Sequence, residues 1–563
     1  MKTAAVLVFL FLAVAGAAQN YPQQYFRNPL AIPMQLVANF GELRANHWHM
    51  GLDIRTQQRE NLPVYAAAEG FVSAISIDAT GFGRALYITH PNGFTTVYGH
   101  LNAFTPALNA WLKKEQYSAE SWAGKWTVPP GLFPVAKGDF IAYSGNTGGS
   151  QGPHVHFEIR DTKTDKCLNP LLFNFPIPDA VPPTLQRLAL YDRNQNVYAQ
   201  TPKLLGLKKE GARYTLATPV LKTASNRISF AIGAIDRFTG SGNGNGIYSA
   251  ALWADGVLQS RFRLDSISYD ETRYLNAQID YRYKAAGGPY LQHLGPLPGE
   301  HSSVYTVMAS NGVVALPDTL LHAMLLEVAD AAGNKSILQF NVQYVPNIFK
   351  TPYPPAAAQL RPAEVNVFEQ PGFELYTSES AMYDTVNISY AEKNTTTASA
   401  LSPAFVFLDA GIPTHDSITV RMAVNGVTDD EKMRLVVTSA AGDKTVVQKG
   451  TWCRGWVCAR FRQFGTFQVF VDTTAPTVNA PGAGDTINLQ HATRLVFNAK
   501  DNFKKIKTFR AELDGQWLLF SNDKNLSYIY QFDTYFTPGV HQLHVTVEDV
   551  AGNKTEKTWW VRR

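Results

Sequence analysis

Gly152-Pro153-His154-Val155-His156-Phe157-Glu158-Ile159-Arg160 sets two histidines two residues apart inside a run with strand character. Successive side chains of a strand point to opposite faces, so His154 and His156 share one face while Val155 and Phe157 point into the other layer. The pair offers two ring nitrogens to one metal or one substrate. By itself it is indistinguishable from a polar strand face, and the rest of the N-terminal region decides between the two.

Six of the 13 histidines (His47, His49, His90, His100, His154 and His156) lie between positions 47 and 156. In Asn46-His47-Trp48-His49-Met50-Gly51-Leu52-Asp53-Ile54 an imidazole and a carboxylate stand four apart around a glycine. Gly51 disfavours a helix, and a bend there brings His49 and Asp53 together as competent metal ligands. Val64–Ile75 reads as strand, turn and strand. Arg84–His90 and Phe94–Leu101 read as a hairpin around Pro91-Asn92-Gly93, a pairing that tight turns favour. His100 then sits at a strand end, and His90, just before the turn, is expected to face solvent. Residues 103–133 interrupt the β pattern with a helix within Pro106–Trp122, whose purpose the sequence leaves open. Ser144–Gly152 is a Gly-rich loop, but no helix with a lysine follows it, which excludes a phosphate-binding P-loop.

His49-x-x-x-Asp53, Tyr98-Gly99-His100-Leu101 and His154-x-His156-Phe157-Glu158, in that order and separated by hairpins, resemble the lysostaphin/LytM-type zinc metalloendopeptidases that cut peptidoglycan cross-bridges. Pro63–Gly70 resembles the strand pair of that family, and Gly145-Asn146-Thr147-Gly148 with Ser150 its substrate-side loop. The resemblance covers about residues 41–160. It implies an antiparallel β-sheet domain of the duplicated-hybrid-motif type with a short helical insertion, Zn2+ held by His49, Asp53 and His156, and His100 and His154 as catalytic residues. His47 falls outside the family register and is read as a bystander. Two imidazoles and one carboxylate leave an open fourth position on tetrahedral zinc, as a catalytic site requires. The two remaining histidines suit proton transfer and oxyanion stabilisation. Family members that only bind cell wall, or activate a wall amidase, have lost metal ligands. All five positions are filled here, which favours the enzyme.

Residues 1–18 read as an export signal: Lys2, an apolar run from Ala4 to Val14, then Ala15-Gly16-Ala17-Ala18, with cleavage after Ala17 or Ala18. The expected location is the periplasm or cell envelope, or secretion, with no membrane span after cleavage. At 563 residues the chain should hold several domains, since single cores rarely outgrow ~250–300 residues. A formal charge of +4 is far from a nucleic-acid signature. Of three cysteines, Cys453 and Cys458 are near enough in sequence to close a disulfide across a hairpin, with Cys167 free or buried.

Beyond Pro176 the histidine clustering ends. An Ala-Gly-(Asn/Asp)-Lys hairpin recurs at Gly333, Gly442 and Gly552, 109 and 110 residues apart, near the ~100 residues of one Ig-type sandwich. Val181-Pro182-Pro183-Thr184 and Thr474-Ala475-Pro476-Thr477 open the outer two repeats alike. The expected organisation is mainly β: a peptidase domain over residues 19–176, then modules resembling bacterial Ig-like β-sandwiches over 177–347, 348–471 and 472–563, which serve as spacers or bind envelope components. Asp330 and Asp549 invite a calcium reading, but bonding the backbone of their own turns is the simpler role. Trp559-Trp560 is expected to alternate in a final strand.

Overall fold

The computed structural model describes residues 21–307, 309–346, 358–394, 399–479, 486–525 and 527–563. The export signal read over residues 1–18, and the middle of the Pro-rich linker between Tyr344 and Pro362, lie outside the described residues. The protein is mainly β, as expected. No helix among the described residues is long and apolar enough to cross a membrane.

The N-terminal domain is built on one antiparallel sheet. Its strands are β1 (Leu36–Ala38), β2 (Leu52–Arg55), β3 (Gly70–Ile77), β4 (Arg84–Thr89), β5 (Phe94–Gly99), β6 (Gly124–Thr127) and β7 (His154–Asp161), in the spatial order β1-β2-β7-β5-β4-β3-β6. Val155, Phe157 and Ile159 of β7 enter a core shared with Leu52, Ile54 and Tyr98. A small sheet of Pro63–Tyr65, Phe140–Ser144 and Leu101–Phe104 closes that core from the other side. The opposite face of β7 carries His156, Glu158 and Arg160, and it too is buried.

Its cover comes from the next module. Cys167–Leu168 pairs with the end of β7 and also with Ser266–Ile267, so the N-terminal sheet runs on into residues beyond 177. Trp48 is wholly buried there, its Nε1 donating to Gln278 Oε1 at 2.7 Å.

Helix α1 (Pro106–Ser118) forms within the interval read as helical, capped by Thr105. It answers the question its sequence left open by docking on the last module. Tyr117 stacks on Tyr535 with ring centroids 3.7 Å apart and donates to Asp533 Oδ2 at 2.9 Å, and Lys113 meets the same carboxylate. Glu120 pairs with Arg510 at 2.6 Å.

Each following unit is a pair of sheets on a common core, and in each the repeated glycine turns a hairpin: Leu321–Ala329 into Lys335–Tyr344, Leu435–Ala441 into Lys444–Lys449, and Val540–Asp549 into Lys554–Arg562. Trp559 is buried and Trp560 half exposed, as alternation requires. Cys453 and Cys458 lie on one hairpin, paired in backbone register with Trp456 and Thr451 and within hydrogen-bond reach of each other, and both are free thiols, so the cross-hairpin disulfide is not formed. Cys167 is buried.

Candidate active site

Strand register assembles the site. On β7, His156 stands directly opposite Asp53 of β2 on one side and Gly99 of β5 on the other. Three segments far apart in sequence thus meet side by side. Gly51 lets the chain bend tightly against β7, since a Cβ there would lie 2.4 Å from the Phe157 carbonyl oxygen. His100 follows β5 directly with φ of +57°. This left-handed conformation, costing on the order of 1 kcal/mol in a non-glycine residue, turns the chain toward the small sheet.

The side chains converge on Asp53. Its Oδ1 lies 2.9 Å from His49 Nε2, 2.9 Å from His156 Nδ1 and 3.3 Å from His154 Nε2. His49 Nε2 and His156 Nδ1 are only 3.0 Å apart. The outer nitrogens are engaged elsewhere: His49 Nδ1 with the Asn39 carbonyl at 2.7 Å, and His156 Nε2 with Glu158 Oε1 at 3.0 Å. When those outer nitrogens donate, both imidazoles turn unprotonated nitrogens toward one point beside a carboxylate. Two lone pairs facing each other need a cation between them, so the donor set fits a divalent metal. His49, Asp53 and His156 are all buried.

The electrostatics agree. Burial opposes the charge of Asp53, but the three surrounding imidazoles outweigh it and hold the carboxyl well below its usual range. Burial likewise opposes a charge on His156, yet hydrogen bonds to Asp53 and Glu158 push it up to about 9. A metal bound between these residues would therefore displace a proton.

Behind these residues stands a second layer of partners from β7 and the following module. Glu158 is fully buried, and Arg160, from Nη2 at 2.6 Å, together with Tyr269 of the following module, whose hydroxyl is 2.5 Å away, hold it ionised. Glu158 is visible in the sequence only as part of the motif, and no local pattern marks Tyr269, 111 residues away.

The other two histidines line the same side. His100 and His154 have ring centroids 4.6 Å apart. His100 Nδ1 contacts the Thr147 carbonyl at 2.8 Å and His154 Nδ1 the Gly152 carbonyl at 2.8 Å, so when those nitrogens donate both rings carry an unprotonated Nε2, that of His154 lying 3.3 Å from Asp53 Oδ1. Burial, with His154 and His156 nearby, drops His100 to about 3.

His47 is exposed. His90 departs from expectation. It is 3% exposed, bonded to the Glu69 carbonyl and to Thr96 Oγ1, with its ring against Phe26. The turn beside it is exposed, but its ring folds back beneath the sheet, where two partners satisfy both nitrogens.

Residues 47–170 match the model of Peptidase family M23. They form an M23 peptidase domain. Within the chain, the M23 domain is 34% identical over 128 residues to an uncharacterised metalloprotease of Haemophilus influenzae, covering 23% of this chain and 21% of that protein. It is 30% identical over 131 residues to the DD-carboxypeptidase/endopeptidase Mpg of Neisseria meningitidis, covering 23% and 24%. The chain thus spans about a fifth to a quarter of the length of these relatives. Among solved structures, the lysostaphin catalytic domain of Staphylococcus simulans is 21% identical, with 24% of this chain and 87% of that chain covered and a TM-score of 0.18. Outside the M23 domain, residues 357–472 match the model of a Zu5-like domain.

Proposed function

We propose that this chain is an exported zinc metalloendopeptidase that hydrolyses the peptide cross-links of peptidoglycan. The observation that carries the metal assignment is the 3.0 Å approach of His49 Nε2 to His156 Nδ1 beside Asp53. These three residues would hold zinc, with Asn39 and Glu158 fixing the ring orientations. Bound there with a fourth position open, zinc would supply Lewis acidity and an acidified water.

The chain's own residues handle the protons. His154, its Nδ1 against the Gly152 carbonyl, presents Nε2 as an acceptor next to Asp53. His100, kept neutral by burial, presents a second Nε2 beside it. Between them they take a proton from the attacking water and return one to the leaving amine. The loop Asn146–Ser150 forms the adjacent wall. A peptidoglycan peptide as substrate is supported by the M23 domain and by the activity in the name of the Neisseria relative, and the C-terminal modules serve as envelope-facing arms.

The test pairs metal content with product analysis. Purified protein is expected to hold about one zinc per chain and to release cross-link peptides from purified walls, detected by mass spectrometry. Asp53→Ala is expected to lose both properties. Wall cleavage by metal-free Asp53→Ala would overturn the mechanism. Zinc binding without cleavage of walls of any cross-link chemistry would favour a wall-binding or amidase-activating role.

A further inference from the structure

We infer that the first and last C-terminal modules each contain a calcium site made of three aspartates, Asp179, Asp236 and Asp330 in one and Asp472, Asp501 and Asp549 in the other. In each triad one oxygen per carboxylate lies within 4.8 Å of the other two. The triads occupy the same stations of the fold. Asp179 and Asp472 stand five residues before the opening strands at Thr184 and Thr477. Asp236 and Asp501 directly follow Arg227–Ile235 and Arg494–Lys500. Asp330 and Asp549 open the glycine turns of the two matching hairpins. Even the bracing bond recurs: Asn334 Nδ2 donates to the Asp179 carbonyl at 3.3 Å, and Asn553 Nδ2 to the Asp472 carbonyl at 2.9 Å.

The decisive feature is what the carboxylates lack. Asp330 and Asp549 do bond their own turns, through Asn334 N and Asn553 N at 2.9 Å each, as the sequence suggested. Asp472 Oδ1 accepts from Thr474 N and Asn502 Nδ2, and Asp501 Oδ2 from Phe503 N and Lys505 N. Asp472 Oδ2, Asp501 Oδ1 and Asp236 Oδ1 are buried with no donor at all. Asp472 is 1% exposed and Asp236 2%. Among the described residues none of the six carboxylates has a salt-bridge partner. Buried carboxylate oxygens without a donor are strongly disfavoured, and three facing carboxylates repel one another. A divalent cation removes both penalties at once.

All ligands are hard oxygens, which excludes a thiolate or imidazole metal and points to calcium. Calcium accepts irregular arrays of carboxylates and carbonyls, whereas magnesium demands a tighter octahedron. Because Asp179 and Asp472 lie where the chain enters each module, a bound ion would tie that entrance to two turns and stiffen the junction. The alternative for so crowded a triad is a shared proton.

Calcium chloride titrated by calorimetry into the full chain, first stripped with EGTA and reloaded with one equivalent of zinc, separates these cases. Saturable uptake of about two calcium ions per chain is expected, in the 10⁻⁴–10⁻³ M range of extracellular sites, with a rise in Tm. Asp236→Asn and Asp501→Asn, each nearly isosteric, are each expected to abolish one of the two sites. No saturable uptake at about 10 mM calcium, well above that range, overturns the proposal in favour of a shared proton, and this wild-type result decides the matter even if a variant fails to fold. Undiminished uptake by folded variants also overturns it. Tighter binding of magnesium in a parallel titration overturns the choice of ion.

Discussion

Lys524, in the last module, donates from Nζ to the carbonyl oxygen of Ser150 at 2.6 Å, across 374 residues of chain. Its neighbour Asp523 accepts from Gly148 N at 2.8 Å, and Lys524 N donates to the Ala79 carbonyl. The loop so gripped holds His100 and His154: Thr147 through its carbonyl to His100, and Ser150 through its hydroxyl to His154 at 3.2 Å. A distant module thereby braces the two rings proposed to transfer protons. Replacing Asp523 and Lys524 together by alanine is expected to lower kcat on purified walls between about 10- and 100-fold, the scale of small misplacements of catalytic groups. Zinc content measured on the same protein should not change.

Tyr269 reaches the three candidate metal ligands through its hydrogen bond to Glu158, which in turn meets His156. Tyr269→Phe removes one donor to a buried carboxylate, and zinc affinity measured by chelator competition is expected to fall about 10-fold. Glu158→Gln goes further, because it leaves the Arg160 guanidinium, 4% exposed, without its buried counter-charge. A loss of about 3 kcal/mol in denaturant unfolding is expected.

Gly51→Ala tests the close approach of the His49–Asp53 bend to β7. The added methyl would meet the Phe157 carbonyl oxygen at 2.4 Å, a backbone atom that cannot swing aside. Destabilisation of about 1–3 kcal/mol is expected, together with weakened zinc binding, since the shift moves two candidate ligands at once.

His293, 2% exposed in the first C-terminal module, is dropped to about 3 by burial and then by Arg193. As pH falls, the unfolded chain takes up this proton near pH 6.5 while the folded chain resists until about 3. Stability is thus fully present above pH 6.5 and declines through that window, by roughly 1.4 kcal/mol per pH unit for one such group. His100 contributes with the same sign. His293→Phe keeps a ring beside Tyr191 and removes the titration, so its acid limb, followed by urea unfolding between pH 6 and 4, is expected to be shallower by that slope.

The sequence by itself determined the strand alternation that sets His154 and His156 on one face, the Gly51 bend that joins His49 to Asp53, the helix near Pro106, and the three glycine hairpins. Each of these depends on neighbours within a few residues, where backbone geometry and side-chain periodicity act directly. Tertiary structure decided what depends on register and on contact between modules. The pairing of His156 with Asp53, the folding of His90 under the sheet, the grip of Lys524 on Ser150, the reach of Tyr269 to Glu158 and the gathering of each aspartate triad all join residues whose separation in the chain carries no local signal. Burial and the need to satisfy every polar atom it encloses selected those partners, and only the packed chain displays them.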